Sequence, residues 1–379
     1  MKIETFAMER MQSLFEHEVK YNLTESGVWP MRIRDVLGGD EAVAAFVEQQ
    51  AFYAEAPGSD LLRGHIANWY PGAGVENVSA MAGGAEANYT TLWTLLEPGD
   101  RAAIMLPNYM QAWGLARAYA RADRFRLKRT SLDGVRRWGL DLKELDRAVT
   151  RDTKVILVTN PNNPTGAVLT EKEMDAVVRV ADRADAWLLA DEIYRGAEVE
   201  GDEATATFWG RYDKVIVTSG VSKAFGLPGL RLGWVVAPER LIRDLWRHHD
   251  YLSLMPSILS ERLATIALEP SRREEILRRT RGIIRANLPR LERWIARHAD
   301  VFDYIRPRAG AIVYLPMRVR ANTQRFVDRM REEESVLIVP GEQLGLRGGL
   351  RLGYGYDIEH TLRGLKKVDK FLARVGLAV

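Results

Sequence analysis

The 379-residue sequence contains no cysteine and only six histidines. The first absence excludes disulfides, thiolate metal sites and a cysteine nucleophile, and the second leaves little from which to build a metal centre. His248 and His249 are adjacent, so on a helix they point in different directions and make a poor metal pair. No apolar run approaches the ~18 residues of a membrane span. The opening MKIETFAMERMQSLFEHE is amphipathic and charged, without the apolar stretch of a signal peptide. The expected address is therefore the cytoplasm, with no membrane partner. Charge of one sign is also scarce: 54 Lys and Arg against 51 Asp and Glu leave a formal charge of +3. The arginines are spread along stretches such as 271–298 instead of forming a block, which argues for solvated faces and against nucleic acid. A local anionic ligand suits this balance better than a polyanion.

With 46% hydrophobic and 28% charged positions, the chain can bury a large core as one big domain or two closely joined ones. Between about residues 80 and 240, short apolar runs alternate with helical patterns. The expected strands are Ala102–Leu106, Lys154–Thr159, Trp187–Ala190, Lys214–Thr218 and Leu232–Val236. The expected helices are Ala85–Leu96, Met110–Ala120, Leu142–Val149 and Glu171–Arg183. Such alternation implies an α/β fold: a mostly parallel sheet covered by helices, with ligands at the carboxyl ends of the strands. After about 270 the pattern changes to a long helix carrying Ile283, Ile284, Leu288, Leu291 and Ile295, then short strands and a terminal helix near 358–375. The reading is a large domain over 41–270 and a smaller α+β domain over 271–379, with segment 1–40 packing against the small domain. A helix near 257–298 is expected to bridge the two. There is no flexible linker, repeat or low-complexity stretch.

Four loops carry chemistry. Met81-Ala-Gly-Gly-Ala-Glu-Ala places two glycines before a helix whose first amides are free to hold an anion, although a plain structural turn fits the same string. Asn160-Pro-Asn-Asn-Pro-Thr-Gly166 follows a strand with two prolines fixing the path and three Asn side chains available as donors and acceptors. Asp191, at the end of the buried run Leu188-Leu-Ala, is costly there unless it meets a cation. Lys223 lies between small residues and a glycine-rich turn, with Arg231 eight positions on. A neighbouring cation and partial burial lower a lysine pKa, as a Schiff-base amine requires. An ordinary salt bridge is the alternative reading of Lys223.

Asn160–Gly166, the Asp191/Tyr194 pair and the Ser222-Lys223…Arg231-Leu-Gly233 block, in this order and spacing, resemble the class I/II aminotransferases of the pyridoxal 5′-phosphate (PLP) fold-type I superfamily. The resemblance extends over essentially the whole chain. It implies PLP held as a Schiff base on Lys223, which then moves the proton at the substrate Cα. It implies further that Asp191 pairs with the pyridine nitrogen, that Asn163 and Tyr194 bond the ring hydroxyl oxygen, and that Tyr109 stacks on the ring. Arg231, Ser222 and the amides of Gly83, Gly84 and Ala85 would hold the phosphate. By the same resemblance Arg351, with Asn163 and Gly27, would bind the substrate and grip its α-carboxylate. Tyr53 resembles the tyrosine lent to a neighbouring subunit's phosphate in a homodimer; a packed core aromatic is the alternative.

The match departs in one place. Many family members carry a Ser three residues before the lysine, where this chain has Gly220, with Ser219 one residue away. The stretch from Gly220 to Arg231, with Tyr21-Asn-Leu-Thr-Glu-Ser-Gly-Val, looks most like a smaller branch that includes capreomycidine synthase, a cyclising enzyme. The implied activity is amino transfer between an α-amino acid and a 2-oxo acid; elimination or cyclisation on a modified amino acid is the alternative. By position alone, Glu25, Ser26, Trp29 and the region of Tyr251 are candidates to line the side-chain pocket.

Overall fold

The computed structural model describes residues 3–319 and 322–377. Its centre is an eight-stranded sheet in the spatial order Val78–Met81, Gly233–Val236, Val215–Gly220, Trp187–Asp191, Thr153–Thr159, Arg101–Leu106, Arg121–Leu132, Val135–Leu140. The pairs from Val215–Gly220 through Arg121–Leu132 are parallel, while Gly233–Val236 and the edge strand Val135–Leu140 run antiparallel to their neighbours. The central strands are apolar on both faces, as a sheet covered by helices on both sides requires. Ile156, Val158, Leu188, Ala190 and Val217 pack into one apolar cluster, and Val155, Leu157, Leu189, Ile216 and Val235 into the other. Each such side chain contributes about 1.5–3 kcal/mol by leaving water.

The five expected strands and four expected helices are all present, with ends shifted by a residue or two. The expected bridging helix is two helices, Ile258–Leu268 and Pro270–Arg297. Pro270 has no amide to continue the first, and the Glu269 carboxylate caps the second by accepting from Arg272 N. The hairpin Arg121–Leu132/Val135–Leu140 escapes the sequence pattern because Arg121–Leu132 is mostly polar and exposed, and the buried half of Val135–Leu140 includes Arg137 and Gly139.

Beyond Pro270, the strands Ile312–Pro316, Gly349–Gly353 and Val339–Pro340 form an antiparallel sheet with Gly349–Gly353 in the middle. Near the N-terminus, Tyr21–Asn22 pairs in parallel with Val336–Leu337, which fixes this segment to the C-terminal elements. Among the described residues no helix is long and apolar enough to cross a membrane.

Candidate active site

The register of the parallel strands builds the floor of the site. Thr159 stands opposite Asp191, and Asp191 opposite Thr218, so three strands end in one row and deliver their following loops to one place. There a cavity of about 490 Å³ is lined by Lys223, Asp191, Tyr194, Asn163, Tyr109, Ser222, Arg231, Gly84 and Ala85. Residues far apart in sequence therefore face one space.

Lys223 Nζ donates to Ser26 Oγ at 2.9 Å. Burial pushes its pKa below the ordinary lysine range, Glu25 opposes that shift, and the Arg351 guanidinium adds to it. Gly27 packs against this lysine: a Cβ there would lie 3.2 Å from the Ser222 carbonyl oxygen and 3.8 Å from Lys223 Cα.

Asp191 makes no ion pair among the described residues. It accepts from Asn88 Nδ2 at 2.9 Å and from Ile193 N at 3.1 Å, and burial raises its pKa against these two bonds. Asn88 is held in turn by Thr218, whose hydroxyl donates to Asn88 Oδ1 at 2.6 Å. Sequence reasoning missed Asn88, because nothing in its helical surroundings marks it. Tyr194 is buried, and its hydroxyl has no hydrogen-bond partner among the described residues. Burial drives its pKa up to about 12, with Arg351 and the nearby Ser26 hydroxyl pulling the other way.

In the Asn-rich loop only Asn163 faces the cavity. Asn160 Oδ1 accepts from Leu169 N at 2.9 Å, and Asn162 Nδ2 donates to Pro107 O at 3.0 Å. Two of the three Asn side chains are thus structural, which corrects the expectation that all remain available. Tyr109 is positioned by Asn108, which accepts from Tyr109 N at 2.7 Å and from the Thr159 hydroxyl at 2.9 Å. Its ring meets Phe6 edge-on at 4.8 Å.

Arg351 sits on the central strand of the smaller sheet and is 1% exposed. It donates to Thr24 O at 2.6 Å and Asn163 Oδ1 at 3.2 Å, its Nε is unpaired, and no carboxylate meets it among the described residues. A buried guanidinium without a counter-ion has the chemistry to hold a carboxylate.

At the opposite end, the helix Gly84–Leu95 opens toward Arg231. Gly83 has φ +102°, and a Cβ there would lie 2.7 Å from Arg231 Nη2, so only glycine admits the guanidinium. The Gly83 amide donates to Met81 O at 2.7 Å within the turn. Gly84 and Ala85, in the first turn, have no intrahelical acceptor. Ser219 Oγ donates to Glu192 O at 3.3 Å and does not replace the missing hydroxyl at Gly220.

Two expectations change. Tyr53 is 85% exposed and is no core aromatic. Of the side-chain pocket candidates, Glu25 and Ser26 line the cavity, whereas Tyr251 is 84% exposed and Trp29, also exposed, packs edge-on to Tyr356. Sequence reasoning also missed the roof, the helix Ala7–Phe15, which brings Met8, Glu9, Gln12, Ser13 and Glu16 to the cavity.

The residues fit PLP on their own chemistry. Asp191 lacks a cation, the Tyr194 hydroxyl lacks a partner, and Arg231 with two free helix amides forms an anion cradle. The comparisons agree. Capreomycidine synthase of Streptomyces vinaceus is 28% identical over 359 residues, covering 94% of this chain and 90% of that protein. An aspartate aminotransferase of Streptomyces avermitilis is 28% identical over 302 residues, 77% of this chain and 73% of that one. A solved PLP-dependent aminotransferase from Streptococcus suis superposes with a TM-score of 0.89 at 28% identity over 99% of both chains. The PLP-dependent cyclase OrfR superposes at 0.86 with 26% identity, over 99% of this chain and 98% of that one. The model of the family "Aminotransferase class I and II" matches residues 41–368, and the chain, a PLP-dependent enzyme of fold type I, belongs to that family.

Proposed function

We propose that this enzyme moves an amino group between an α-amino acid and a 2-oxo acid, and that the amino acid carries a cationic side chain. The reading rests on one arrangement: Lys223 with a depressed pKa, an Asp191 carboxylate without a cation, and a buried Arg351 without an anion, gathered around one site. PLP, when bound, supplies an electron sink that weakens the bonds at the substrate Cα. The remaining work belongs to the chain. Lys223 Nζ, oriented by Ser26, would take the proton from the substrate Cα and pass it to the cofactor carbon that carries the imine. Asp191, fixed by Asn88, presents a carboxylate to the pyridine nitrogen, and Tyr194 and Asn163 present their side chains to the ring hydroxyl oxygen. Arg351 orients the α-carboxylate and Gly27 leaves room for it, while Arg231, Ser222, Gly84 and Ala85 hold the phosphate.

The substrate class follows from the charges left over. Once phosphate meets Arg231, pyridinium meets Asp191 and the α-carboxylate meets Arg351, Glu9, Glu16 and Glu25 still line the cavity. Glu9 and Glu25 bear on the titration of Lys223 and Arg351, and neither forms an ion pair among the described residues. A dicarboxylate side chain would be repelled here; an ammonium or guanidinium group would be held. The same surroundings suit a cyclisation or elimination on a cationic amino acid, which similarity to capreomycidine synthase also fits.

We place Tyr53 at the phosphate site of a second copy. It stands with Val47 and Phe52 on an exposed apolar stretch, the arrangement expected of an interface in a homodimer with shared sites. We also assign 41–270 as the cofactor domain and 271–379, with 1–40, as the unit that brings Arg351 and the roof to it.

The test is an absorbance titration of the purified enzyme with single amino acids. Lysine, ornithine or arginine should bleach the PLP band, and a 2-oxo acid should restore it. Bleaching by aspartate with no response to any cationic amino acid would overturn the substrate class. Release of ammonia or of a cyclic product without an acceptor would move the reaction to the second reading. A competent monomer in sedimentation would remove the shared site.

A further inference from the structure

The phosphate cradle has a support that takes no part in lining it. Glu86 stands in the first turn of the helix Gly84–Leu95, and its carboxylate turns back to accept from Ala82 N. The same oxygen, Oε2, lies 3.3 Å from His249 Nε2, and that nitrogen lies 3.1 Å from Ser253 Oγ. His249 is 1% exposed, at the end of the helix Glu239–His249. Burial alone would raise the Glu86 pKa, but the bonds from His249, Ala82 N and Ser253 outweigh it and hold the carboxylate ionised.

Glycine makes this clamp necessary. In Ala82-Gly83-Gly84 two successive residues lack a Cβ, and Gly83 is left-handed, so the turn has little of its own to fix it. Its neighbours press close: a Cβ on Gly233 would lie 2.4 Å from Gly84 N, and one on Gly83 would lie 2.7 Å from Arg231 Nη2. The Gly83 amide is used within the turn by Met81 O, and Glu86 takes the Ala82 amide. Gly84 and Ala85 are left as the donors facing Arg231. A carboxylate so near an anion site needs its oxygens engaged, and the Ala82 amide and His249 Nε2 both meet Glu86 Oε2.

We propose that Glu86, backed by His249, is a positioning residue that sets the turn so that the Gly84 and Ala85 amides meet the cofactor's phosphate. The proposal rests on the PLP reading above. It separates two functions of one carboxylate, accepting from the Ala82 amide and carrying a charge.

The test compares release of PLP and of pyridoxal, which lacks the phosphate, from the wild type, Glu86→Ala, Glu86→Gln and His249→Gln. Glu86→Ala should weaken PLP about tenfold or more, the usual range for losing a hydrogen bond to a charged group. Pyridoxal should change less than about twofold, since the clamp acts through the phosphate. Glu86→Gln keeps an acceptor for Ala82 N and should stay within about threefold of wild type for PLP. His249→Gln, which removes the imidazole from Glu86 Oε2, should weaken PLP and spare pyridoxal. Inorganic phosphate, read as protection against thermal unfolding of the cofactor-free protein, should follow the PLP order. Equal loss of PLP and pyridoxal would overturn the proposal, as would unchanged PLP release in Glu86→Ala. If Glu86→Ala fails to fold, the His249→Gln and Glu86→Gln pair decides by the same ratio. A wild type that binds neither compound would sink the PLP reading itself, a distinguishable failure.

Discussion

Replacing Arg351 with methionine should divide catalysis from stability. The guanidinium is 1% exposed, with donors on Thr24 O and Asn163 Oδ1, an unpaired Nε and no carboxylate among the described residues. In the folded enzyme without substrate, the substitution removes two hydrogen bonds of about 1 kcal/mol each. It also removes a buried charge whose uncompensated desolvation costs several kcal/mol. The two effects oppose, so stability should hold or rise. With substrate the sign reverses. The α-carboxylate then enters a buried site without its partner, a loss of about 2–5 kcal/mol, or about 30-fold to several thousand-fold in kcat/KM. Arg351→Lys keeps the charge without the planar fork and should fall between.

The assay is the bleaching rate of the PLP band with an α-amino acid and with the corresponding primary amine lacking the carboxylate, alongside denaturant unfolding. The amino acid should lose its advantage in the variant while the amine is nearly unaffected. A loss under tenfold for the amino acid, or an equal loss for the amine, would refute the role given to Arg351. A large fall in stability would show instead that the guanidinium is a structural cation.

Glu192 is fully buried, and burial pushes its pKa from 4.5 up to about 7 despite Arg195 and the bonds from Phe208 N and Thr207. The unfolded chain ionises first, so stability is fullest below about pH 4.5 and is lost as pH rises through about 7, by up to about 3 kcal/mol. Glu192→Gln should match wild type in urea unfolding at acid pH and exceed it above neutrality; a gain independent of pH would contradict this. Gly220→Ser should not supply the family's phosphate hydroxyl, because a Cβ there lies 2.8 Å from Leu232 O and 3.0 Å from Gly233 Cα, both backbone. It should lower stability by about 1–3 kcal/mol without tighter PLP, and a stable variant that binds PLP more tightly would show the strand has room. Asn88→Ala should release PLP about tenfold faster by freeing Asp191, and Asn88→Asp, which sets a second carboxylate against Asp191, should be worse. Identical release from all three proteins would remove Asn88 from the site.

The sequence exposed those parts of the fold whose physics is local. Runs such as Val155–Val158 and Leu188–Ala190 are apolar on both faces, so they read as buried parallel strands, and their ends marked where Asp191 and Lys223 would stand. The hairpin Arg121–Leu132/Val135–Leu140 was less legible because Arg121–Leu132 buries only Phe125 and Leu127, and the buried run Arg137–Leu140 contains an arginine and a glycine. Its turn signal was nonetheless present: Asp133 and Gly134 both adopt positive φ, +50° and +78°, as a tight hairpin requires.

The roof of the site was out of reach for a different reason. Glu9 and Gln12 come to the cavity because Met8 packs beside Arg351, 343 positions later, and Gln12 bonds Thr24. No local pattern encodes such a meeting; an amphipathic first helix announces only that one face is covered. The same limit explains the Asn-rich loop, where composition counted three polar side chains and packing assigned two of them to Leu169 N and Pro107 O. Chemistry common to a family sits at strand ends and in short motifs, and is therefore visible in one sequence. Glu9, Glu16 and Glu25, on which the proposed substrate class rests, converge only when the N-terminal segment docks. Their polar, unremarkable positions in the sequence explain why the family was readable while this part of the cavity lining was not.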